Sequence, residues 1–477
     1  MRRLIPAVSL CFAVLTIALS NAQDVKVTSA TSKIVELEWT GAGAAAVLER
    51  SAGQTFQKIG PAGSGKYQDT SIDPFGIYQY RINTSGKFSN VVTVGPPPLG
   101  VSNAAPARKG SEYPNYGPAT AIALDENGDP AIAFESIDPN GDGDKSDTEI
   151  RFVRWDRATY KWTQPVRVAV TGALGDQNVN PIALGCDRAT GTFAILAALA
   201  ESTVYSISSD HGATWKNLPL PTNVATPHGV ALLIGSSQVS AAINAEEGAT
   251  YFTGPVMDAS TWKAKPIPAG EAWKLRNNTN IAITQDTAGN VALAFYEDQQ
   301  EGDTHRYGFW RPNDSGPVAI VSSAPVDSPD VALSYASSKF VSIFAAQLDD
   351  DDSGRTVWFS QSNDGSTWSK PVKLPVDGPR STNPPLALAI SSKGAITAAF
   401  GSNSGSGPTA CNSPTVSRSA DSTGWTTCGL GKAAGADFSP QPATLHTIEA
   451  PDDEVFVVWQ EVAETKYGPG ILVWRGR

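Results

Sequence analysis

From residue 117 onward, short apolar runs alternate with turn residues, and pairs of such runs recur along the chain. Ala121–Leu124, for example, is followed by a glycine turn and then by Ala131–Phe134. Runs this short, bounded by Gly, Pro, Asn and Asp, are typical of strands joined by hairpins, and amphipathic helix patterns are hard to find. The pattern predicts an all-β fold. Further copies of the pair are Ile281–Ile283 with Val291–Phe295, and Leu386–Ile390 with Ile396–Phe400.

The copies recur about every 50 residues, which is the length of one four-stranded blade of a β-propeller. Weaker copies start near Pro181, Gly229, Asp330 and Pro442, which makes seven copies of the first two strands. The last copy leaves no room for a fourth strand, and we expect a strand near Leu99–Ser102 to complete it. The predicted fold is a seven-bladed propeller. A six-bladed ring with one irregular extra hairpin is the alternative.

Several repeats end in an eight-residue turn motif. Ser208–Trp215 fits the pattern S-x-D-x-G-x-T-W at every position, and Gln361–Trp368 fits it with two changes. In such a turn the Asp side chain accepts hydrogen bonds from backbone N–H groups, and the Trp packs between strands. Asp210 and Trp215 are therefore predicted to be structural. Decayed copies lie at Met257–Trp262, Ser419–Trp425 and Trp155–Trp162.

These turns, known as Asp boxes, occur in phase with the repeat and resemble those of the sialidase-like propellers over residues 117–477. The resemblance implies an Arg-Ile-Pro motif before the first strand and a three-arginine clamp for the substrate carboxylate. Here Gly117 stands at the Arg position before Pro118, so we predict no catalytic residues. Arg276 and Arg380 precede first strands of later repeats and are the candidate ligand-binding residues.

The loops between second and third strands lie on the ligand-binding face of a propeller, and here they are acidic. They cover residues 138–149, 297–303 and 349–352. An acidic rim repels sialic acid unless Ca²⁺ neutralises it. Pairs of carboxylates could instead hydrolyse a neutral glycan, so a glycoside hydrolase is the alternative function.

One of these loops fits the calcium-binding pattern D-x-[DN]-x-[DN]-G-x5-E. Oxygen ligands at alternate positions suit a hard cation that takes six to eight oxygens. The flanking residues read as strands, so the loop is no EF-hand and resembles the calcium hairpin loops of other propellers. A merely solvated acidic loop is the alternative. The predicted ligands of this structural Ca²⁺ are Asp138, Asn140, Asp142, Asp144 and Glu149.

Residues 23–95 carry the pattern of a small β-sandwich. A strand ending at Trp39, the Tyr78-x-Tyr80-Arg81 strand and a closing Ser-x-x-Val-x-Val segment resemble a fibronectin type III domain. The resemblance implies a spacer or a protein-binding module. Residues 96–116 begin with three prolines and are predicted to be a linker to the propeller at 117–477.

The first 22 residues are predicted to be a signal peptide. Arg2 and Arg3 precede the apolar run Leu4–Leu19, and small residues occupy the −3 and −1 positions of a cleavage site. A short membrane anchor is the alternative. No later segment has the ~18 consecutive apolar residues of a membrane span, so the mature chain is expected to be secreted, extracellular or periplasmic.

Charge and cysteine content narrow the function further. The formal net charge of −11 becomes −13 once Arg2 and Arg3 are removed, which argues against nucleic acid as a partner. Cys411 and Cys428 are expected to pair in an oxidising compartment, and Cys186 is expected to be a buried structural thiol. The sequence thus predicts a secreted, non-catalytic recognition protein that binds an extracellular glycan or protein.

Overall fold

The chain divides into two compact units, Met1–Gly95 and Pro96–Arg477, which are described separately below. The computed structural model describes residues 24–43, 45–63, 65–106, 116–136, 149–170, 181–199, 202–221, 224, 226–235, 237–276, 279–302, 304–324, 330–348, 356–374, 386–391, 393–403, 412–430, 446–449, 454–461 and 470–476.

The first unit is a pair of antiparallel sheets. One sheet has the order β1-β2-β5, and the other has the order β4-β3-β6-β7 with β8 also paired to β6. The facing side chains include Trp39, Leu48 and Tyr80, all at most 3% exposed. The Trp39 indole N–H also donates to the carbonyl of Ala62 at 2.6 Å, so this buried ring has its polar group satisfied. The strands are β1 (Val25–Ala30), β2 (Val35–Trp39), β3 (Val47–Ser51), β4 (Gln57–Pro61), β5 (Lys66–Asp69), β6 (Tyr78–Thr84), β7 (Lys87–Phe88) and β8 (Val92–Val94).

The second unit is all β apart from one short 3-10 helix at Ala259–Thr261 in its described part. Its first strands are β9 (Gly100–Pro106), β10 (Tyr116–Leu124), β11 (Pro130–Ser136), β12 (Glu149–Asp156), β13 (Lys161–Trp162), β14 (Val166–Val170), β15 (Ile182–Asp187), β16 (Thr192–Ala198), β17 (Thr203–Ser208), β18 (Lys216–Leu218), β19 (Pro227–Gly235), β20 (Gln238–Ala245), β21 (Gly248–Pro255) and β22 (Lys263–Pro266). The remaining strands are β23 (Trp273–Leu275), β24 (Ala282–Gln285), β25 (Val291–Gln299), β26 (His305–Trp310), β27 (Val318–Ala324), β28 (Val331–Ala336), β29 (Lys339–Ala346), β30 (Thr356–Ser362), β31 (Val372–Lys373), β32 (Leu386–Ile390), β33 (Ile396–Asn403), β34 (Asn412–Ser419), β35 (Thr426–Gly429), β36 (His446–Glu449), β37 (Val455–Glu461) and β38 (Gly470–Gly476).

Among the described residues these strands form seven antiparallel sheets, which we number in chain order. Sheets 1 to 6 are β10–β14, β15–β18, β19–β22, β23–β27, β28–β31 and β32–β35, and sheet 7 has the order β36-β37-β38-β9. The innermost strands are neighbours in the closed order β10, β15, β19, β24, β28, β32, β36 and back to β10. The all-β prediction is confirmed, and the closed ring of sheets is the architecture of a β-propeller.

Sheet 7 combines strands from the two ends of this unit. β9 pairs with β38 in a register that includes Val101 with Trp474 and Ala105 with Ile471. The sequence predicted a strand near Leu99–Ser102 that completes the last repeat, and β9 lies at this place, within the segment 96–116 that was named as a linker. This pairing joins the two ends of the chain segment that builds the ring.

Small and β-branched side chains fill the spaces between successive sheets. Ala131, Ala133, Ile195 and Ala197 are at most 1% exposed and belong to one core between sheets 1 and 2. Alanine fits here because the inner strands of neighbouring sheets approach closely, where a larger side chain would require the strands to move apart. The same alternation of small and branched residues produced the repeat seen in the sequence.

The turns between first and second strands repeat one hydrogen-bond pattern. Asp125 Oδ1 accepts the backbone N–H groups of Asn127 at 2.8 Å and Asp129 at 2.9 Å. Asp286 accepts the N–H of Asn290 at 2.8 Å in the corresponding turn of sheet 4. These carboxylates satisfy backbone donors that the tight turn leaves unpaired.

The box turn of sheet 2 is held by its own side chains. Asp210 Oδ1 accepts the N–H of Thr214 at 2.8 Å, and Ser208 Oγ accepts the N–H of Gly212 at 2.8 Å. The Thr214 hydroxyl also donates to Asp210 Oδ2 at 2.6 Å. The hydrogen bonds from the hydroxyl and the backbone N–H of Thr214 lower the pKa of Asp210 to about 2, because they favour the charged carboxylate. The Trp215 ring packs edge-on against Phe152 of sheet 1, with ring centroids 5.1 Å apart. The turn therefore also fixes the contact between two sheets.

Candidate functional site

An axial cavity of about 380 Å³ runs between the innermost strands of the ring. Its walls are mainly backbone and apolar side chains. Asn280 lies just before β24 in this lining, and Arg188 lies just after β15. Because innermost strands run in the same direction along a propeller axis, these two polar residues mark opposite ends of the cavity. The apolar segments of the lining are Ala121–Leu124, Ala183–Cys186, Val230–Ile234, Ile281–Ile283, Val331–Leu333 and Leu386–Leu388.

Charged and aromatic side chains gather at the end of β25 and the start of β26, near the Asn280 end of this cavity. β25 and β26 are antiparallel and place Glu297 opposite Arg306 and Asp298 opposite His305. Cross-strand partners of opposite charge attract each other. We call the residues Trp273, Arg276, Tyr296, Glu297, Asp298, His305 and Arg306 the β25–β26 cluster.

One half of the cluster is a buried ion pair. Arg306 Nε donates to Glu297 Oε2 at 2.6 Å, and the side chain of Glu297 is fully buried. The other oxygen, Oε1, accepts the backbone N–H of Gly270 at 2.7 Å. The Arg306 guanidinium lies 4.6 Å from the ring centroid of Trp273. Glu297 therefore fixes a cation against an aromatic ring.

The other half of the cluster is partly exposed. The carboxylate of Asp298 lies 3.6 Å from Arg276 Nη1, and its Oδ1 lies 2.7 Å from His305 Nδ1. Tyr296 stacks on the His305 ring at 5.4 Å and lies 5.9 Å from the Arg276 guanidinium. The side chain of Arg276 is 31% exposed, so one face of it contacts solvent. A cation held in this way can bind an oxygen-rich ligand through charge-assisted hydrogen bonds.

The backbone that carries Arg276 is fixed by its neighbours. Asn244, at the end of β20, donates from Nδ2 to the carbonyls of Arg276 at 2.9 Å and Thr279 at 3.0 Å. The N–H of Arg276 donates to the carbonyl of Tyr296 at 3.3 Å. Arg276 is thus positioned by both sheet 3 and sheet 4.

Two buried carboxyl groups elsewhere in the ring were not predicted from the sequence. Burial raises the pKa of Glu135, at the end of β11, to about 7, although it accepts a hydrogen bond from the backbone of Ala119. Burial also raises the pKa of Asp330, just before β28, to about 7. Both are at most 6% exposed. A carboxyl group with such a pKa can hold a proton near neutral pH.

The structure places the predicted site residues as follows. Arg276 lies in the cluster described above. Glu149 opens β12, and its carboxylate lies 3.0 Å from Arg151 and 3.5 Å from Arg167. Gly117 lies in β10. The other predicted ligands, Asp138, Asn140, Asp142, Asp144 and Arg380, lie outside the described residues.

The sequence predicted an acidic rim on the ligand-binding face, but the described carboxylates of this rim have positive partners. Glu297 and Asp298 each contact a cationic or histidine side chain, and so does Glu149. Positive groups therefore balance these three carboxylates, and this part of the face is mixed in charge. A pattern in the sequence pointed to this: Glu297-Asp298 and His305-Arg306 flank one short loop, so a hairpin brings the two pairs together.

No metal site is evident in the described part of the chain, where no group of three or more His, Cys, Asp or Glu side chains could hold an ion. Cys186 lies half-buried in the cavity lining, unpaired, and burial raises the pKa of its thiol. Cys411 and the side chain of Cys428 lie outside the described residues. No helix in the described segments is both long and apolar enough to cross a membrane.

Comparisons with known proteins found similarity only at the level of structure. No family model and no curated protein matches the chain. An α-L-arabinofuranosidase from Fusarium graminearum is similar with a TM-score of 0.46 and 10% identity, over 80% of this chain and 98% of that one. An α-L-arabinanase from Penicillium chrysogenum has a TM-score of 0.43 and 13% identity, over 79% and 98%. A leech intramolecular trans-sialidase has a TM-score of 0.43 and 9% identity, over 95% and 93%.

Proposed function

We propose that this chain is a secreted recognition protein that binds an extracellular glycan through the β25–β26 cluster without hydrolysing it. The observation that supports this most is the state of Arg276. Its guanidinium is partly exposed, lies against Tyr296 and is fixed by Asp298, as suits a residue that binds ligand oxygens. An extracellular protein is the other class of partner that the sequence allows.

The carboxylates of the cluster support binding over catalysis. A retaining or inverting glycosidase needs one carboxyl group as acid and a second as nucleophile or base. Glu297 is fully buried and bonded to Arg306, and Asp298 is shared between Arg276 and His305. Both groups therefore position cations.

The test is a glycan array probed with the purified mature protein and with Arg276→Ala. We expect binding to at least one glycan, weakened about tenfold or more in the variant because a charge-assisted hydrogen bond is lost. Arg188→Ala is the matched control, because Arg188 lines the other end of the cavity. An array with no bound glycan, or binding that Arg276→Ala leaves intact, would overturn the proposal.

A glycoside hydrolase is the second candidate, and Glu135 is the observation that favours it. A carboxyl group with its pKa raised to about 7 by burial can act as a general acid at neutral pH. Turnover of a fluorogenic glycoside panel that includes sialosides would support hydrolysis. Loss of that turnover in Glu135→Gln, with the melting temperature unchanged, would assign the acid. If no glycoside in the panel is hydrolysed, recognition remains the proposed function.

We further infer that the ring has seven blades and that the first unit is a fibronectin type III-like domain. Seven sheets with neighbouring innermost strands support the blade count, and the pairing of β9 with β38 supports a complete seventh blade. Two sheets packed around Trp39 and Tyr80 support the domain assignment. A single-domain expression test of residues 23–95 would check that this unit folds on its own.

Calcium binding by the 138–149 loop is a proposal that rests on the sequence pattern. Glu149 contacts Arg151 and Arg167, so the bound cation would compete with these arginines for its carboxylate. Isothermal titration with CaCl₂ should show uptake that Asp142→Ala abolishes. If the wild type takes up no Ca²⁺, or if Asp142→Ala takes it up equally well, the proposed calcium site is wrong.

Export is likewise a proposal from the first 22 residues. Expression of the full chain in a secreting host, followed by N-terminal sequencing of the exported protein, should find a start at Gln23. An uncleaved, membrane-associated product would instead identify residues 4–19 as an anchor.

A further inference from the structure

A groove of about 730 Å³ separates sheets 3 and 4 at the end where β25 begins. Val291 lies in the groove, and Asp298 at the other end of the same strand lies in the β25–β26 cluster. A nine-residue strand rises about 3.3 Å per residue, so the groove and the cluster are well separated. The groove is therefore a different site from the one proposed above.

The aromatic contact between sheets 3 and 4 differs from that at four other junctions. At those four, a tryptophan from the box turn packs edge-on against an aromatic ring in the third strand of the preceding sheet. Trp215 does so against Phe152 at 5.1 Å, and Trp368 does so against Phe309 at 5.3 Å. Trp262 with Tyr205 at 4.6 Å and Trp425 with Phe359 at 5.6 Å repeat the contact.

Sheet 4 departs from this rule. The turn that follows its third strand, residues 311–316, contains no tryptophan. The third strand of sheet 3 does carry the aromatic residue, Tyr251, whose side chain lines the groove. Tyr251 contacts Trp310 at 6.4 Å, and Trp310 is fully buried. Here a tryptophan from the end of the third strand, and not one from the box turn, meets the aromatic ring edge-on, and the two rings lie farther apart than at the other four junctions.

Neutral hydrogen-bonding side chains line this opening. Gln238, Gln285 and Asn290 are exposed. Asn290 Nδ2 donates one hydrogen bond to Asp286 Oδ2 at 2.9 Å, and a primary amide has a second N–H and a carbonyl oxygen besides. Ser240 is half-buried, and its Oγ lies 3.0 Å from the hydroxyl of Tyr251. Paired donors and acceptors of this kind match the hydroxyl groups of a sugar.

The cations beside the groove are already engaged. Lys265 Nζ donates to the carbonyl of Pro312 and lies 5.3 Å from the centroid of the Trp310 ring. Arg311 donates from Nη2 to the carbonyl of Asp364 at 2.8 Å. Asp314, an exposed residue of the lining, adds a carboxylate to the uncharged amides and hydroxyls. With both of these cations bonded and a carboxylate present, the groove favours a neutral ligand over an anionic one.

We propose that the groove between sheets 3 and 4 binds a neutral oligosaccharide. The amides of Gln238 and Asn290 bind sugar hydroxyls from opposite walls, and the Ser240–Tyr251 pair forms part of the floor. The chain then carries two recognition sites at opposite ends of sheet 4. Two sites on one rigid fold raise the avidity for a polymeric glycan that can reach both.

The experiment is isothermal titration of the purified mature protein with cellohexaose, xylohexaose and mannohexaose in turn. At least one of these sugars should bind. The double variant Gln238→Ala/Asn290→Ala should bind it with a dissociation constant about tenfold higher or more, because two hydrogen bonds are lost. Gln238→Ala should leave the melting temperature the same because Gln238 is exposed. Asn290→Ala also removes the hydrogen bond from Asn290 Nδ2 to Asp286 Oδ2 and should lower the melting temperature slightly, so each single variant is titrated as well. Tyr251→Phe keeps the ring and removes only the hydroxyl, and it should weaken binding less.

Arg276→Ala is the control for the other site and should leave this binding unchanged. The proposal is wrong if none of the three sugars binds, or if the double variant binds a sugar as tightly as the wild type does. Binding that is lost in Arg276→Ala and kept in the double variant would assign the sugar to the β25–β26 cluster. That outcome would support the proposed function and overturn the proposal that the groove binds the sugar.

Discussion

The carboxylate of Asp330 accepts the backbone N–H of Leu386 at 3.0 Å and thereby joins the innermost strands of sheets 5 and 6. Its second oxygen accepts Asn280 Nδ2 at 3.1 Å, which adds the innermost strand of sheet 4. One buried side chain thus connects three successive sheets at the mouth of the axial cavity. The repeat pattern places Asp330 at the start of a weak copy but does not show this role, because its partners come from other repeats.

Asp330→Asn should change how stability depends on pH. The folded pKa of about 7 lies above the unfolded value near 4, so the stabilisation is complete at low pH and is lost as pH rises through about 7. The variant cannot titrate. The free energy of unfolding of the wild type should therefore exceed that of the variant most below about pH 4, and the difference should shrink by at most about 1.4 kcal/mol per pH unit between about pH 4 and 7.

Urea unfolding of both proteins at about pH 5, 6 and 7 measures this difference directly. Other buried carboxyls, such as Asp129 and Glu135, titrate in both proteins and cancel in the comparison. A difference that grows with pH would show that the hydrogen bonds from Leu386 and Asn280 outweigh burial and lower the pKa of Asp330 instead.

Gly212→Ala should destabilise the second unit far more than Gly289→Ala. Both glycines have a positive φ, 85° and 82°, so alanine is strained at either position by about 1–2 kcal/mol. A Cβ at Gly212 would also overlap the Phe152 ring, whereas a Cβ at Gly289 meets nothing within 4 Å. Overpacking adds about 1–3 kcal/mol to the first variant only. Thermal unfolding of the two variants, with Gly365→Ala as a second box position facing Phe309, tests the comparison.

Equal losses at Gly212 and Gly289 would mean that the box turn can move away from Phe152 without cost. The structural role of the box would then rest on its internal hydrogen bonds alone, which Asp210→Ala removes at a cost of about 1 kcal/mol.

The repeat in the sequence predicted the all-β class and the ring because each copy obeys one local rule, a short strand pair with a glycine turn. The sequence predicted Arg276 as a ligand-binding residue and placed Glu297 and Asp298 in an acidic loop on the ligand-binding face. His305 lies across the β25–β26 hairpin from Asp298, and Trp273 joins the cluster through the pairing of β23 with β25. The groove beside Tyr251 was not predicted, because it is lined by residues of sheets 3 and 4 that only the packing of the two sheets brings together.

Glu297→Gln should cost about 3–5 kcal/mol of unfolding free energy, because it leaves the Arg306 guanidinium buried without its countercharge. The double variant Glu297→Gln/Arg306→Met removes that unpaired charge and should recover part of the loss. Chemical denaturation of the two variants and of Arg306→Met alone completes the cycle. A double variant that is less stable than both single variants would show that the pair contributes more than the cost of burying it.

Cys186 should react slowly with thiol reagents in the folded protein. Its side chain is half-buried in the wall of the axial cavity, and burial raises the pKa of the thiol, so little thiolate is present at pH 8. We expect alkylation by iodoacetamide to be at least about tenfold slower in the native protein than in urea, where an ordinary thiol has a pKa near 8.5. Peptide mass spectrometry assigns the modified residue, and Cys186→Ser is the control that should lose this slow phase. Alkylation of native Cys186 at the rate seen in urea would mean that the reagent reaches the thiol and that the thiolate is stabilised, which the packing of Cys186 against the core between sheets 1 and 2 argues against.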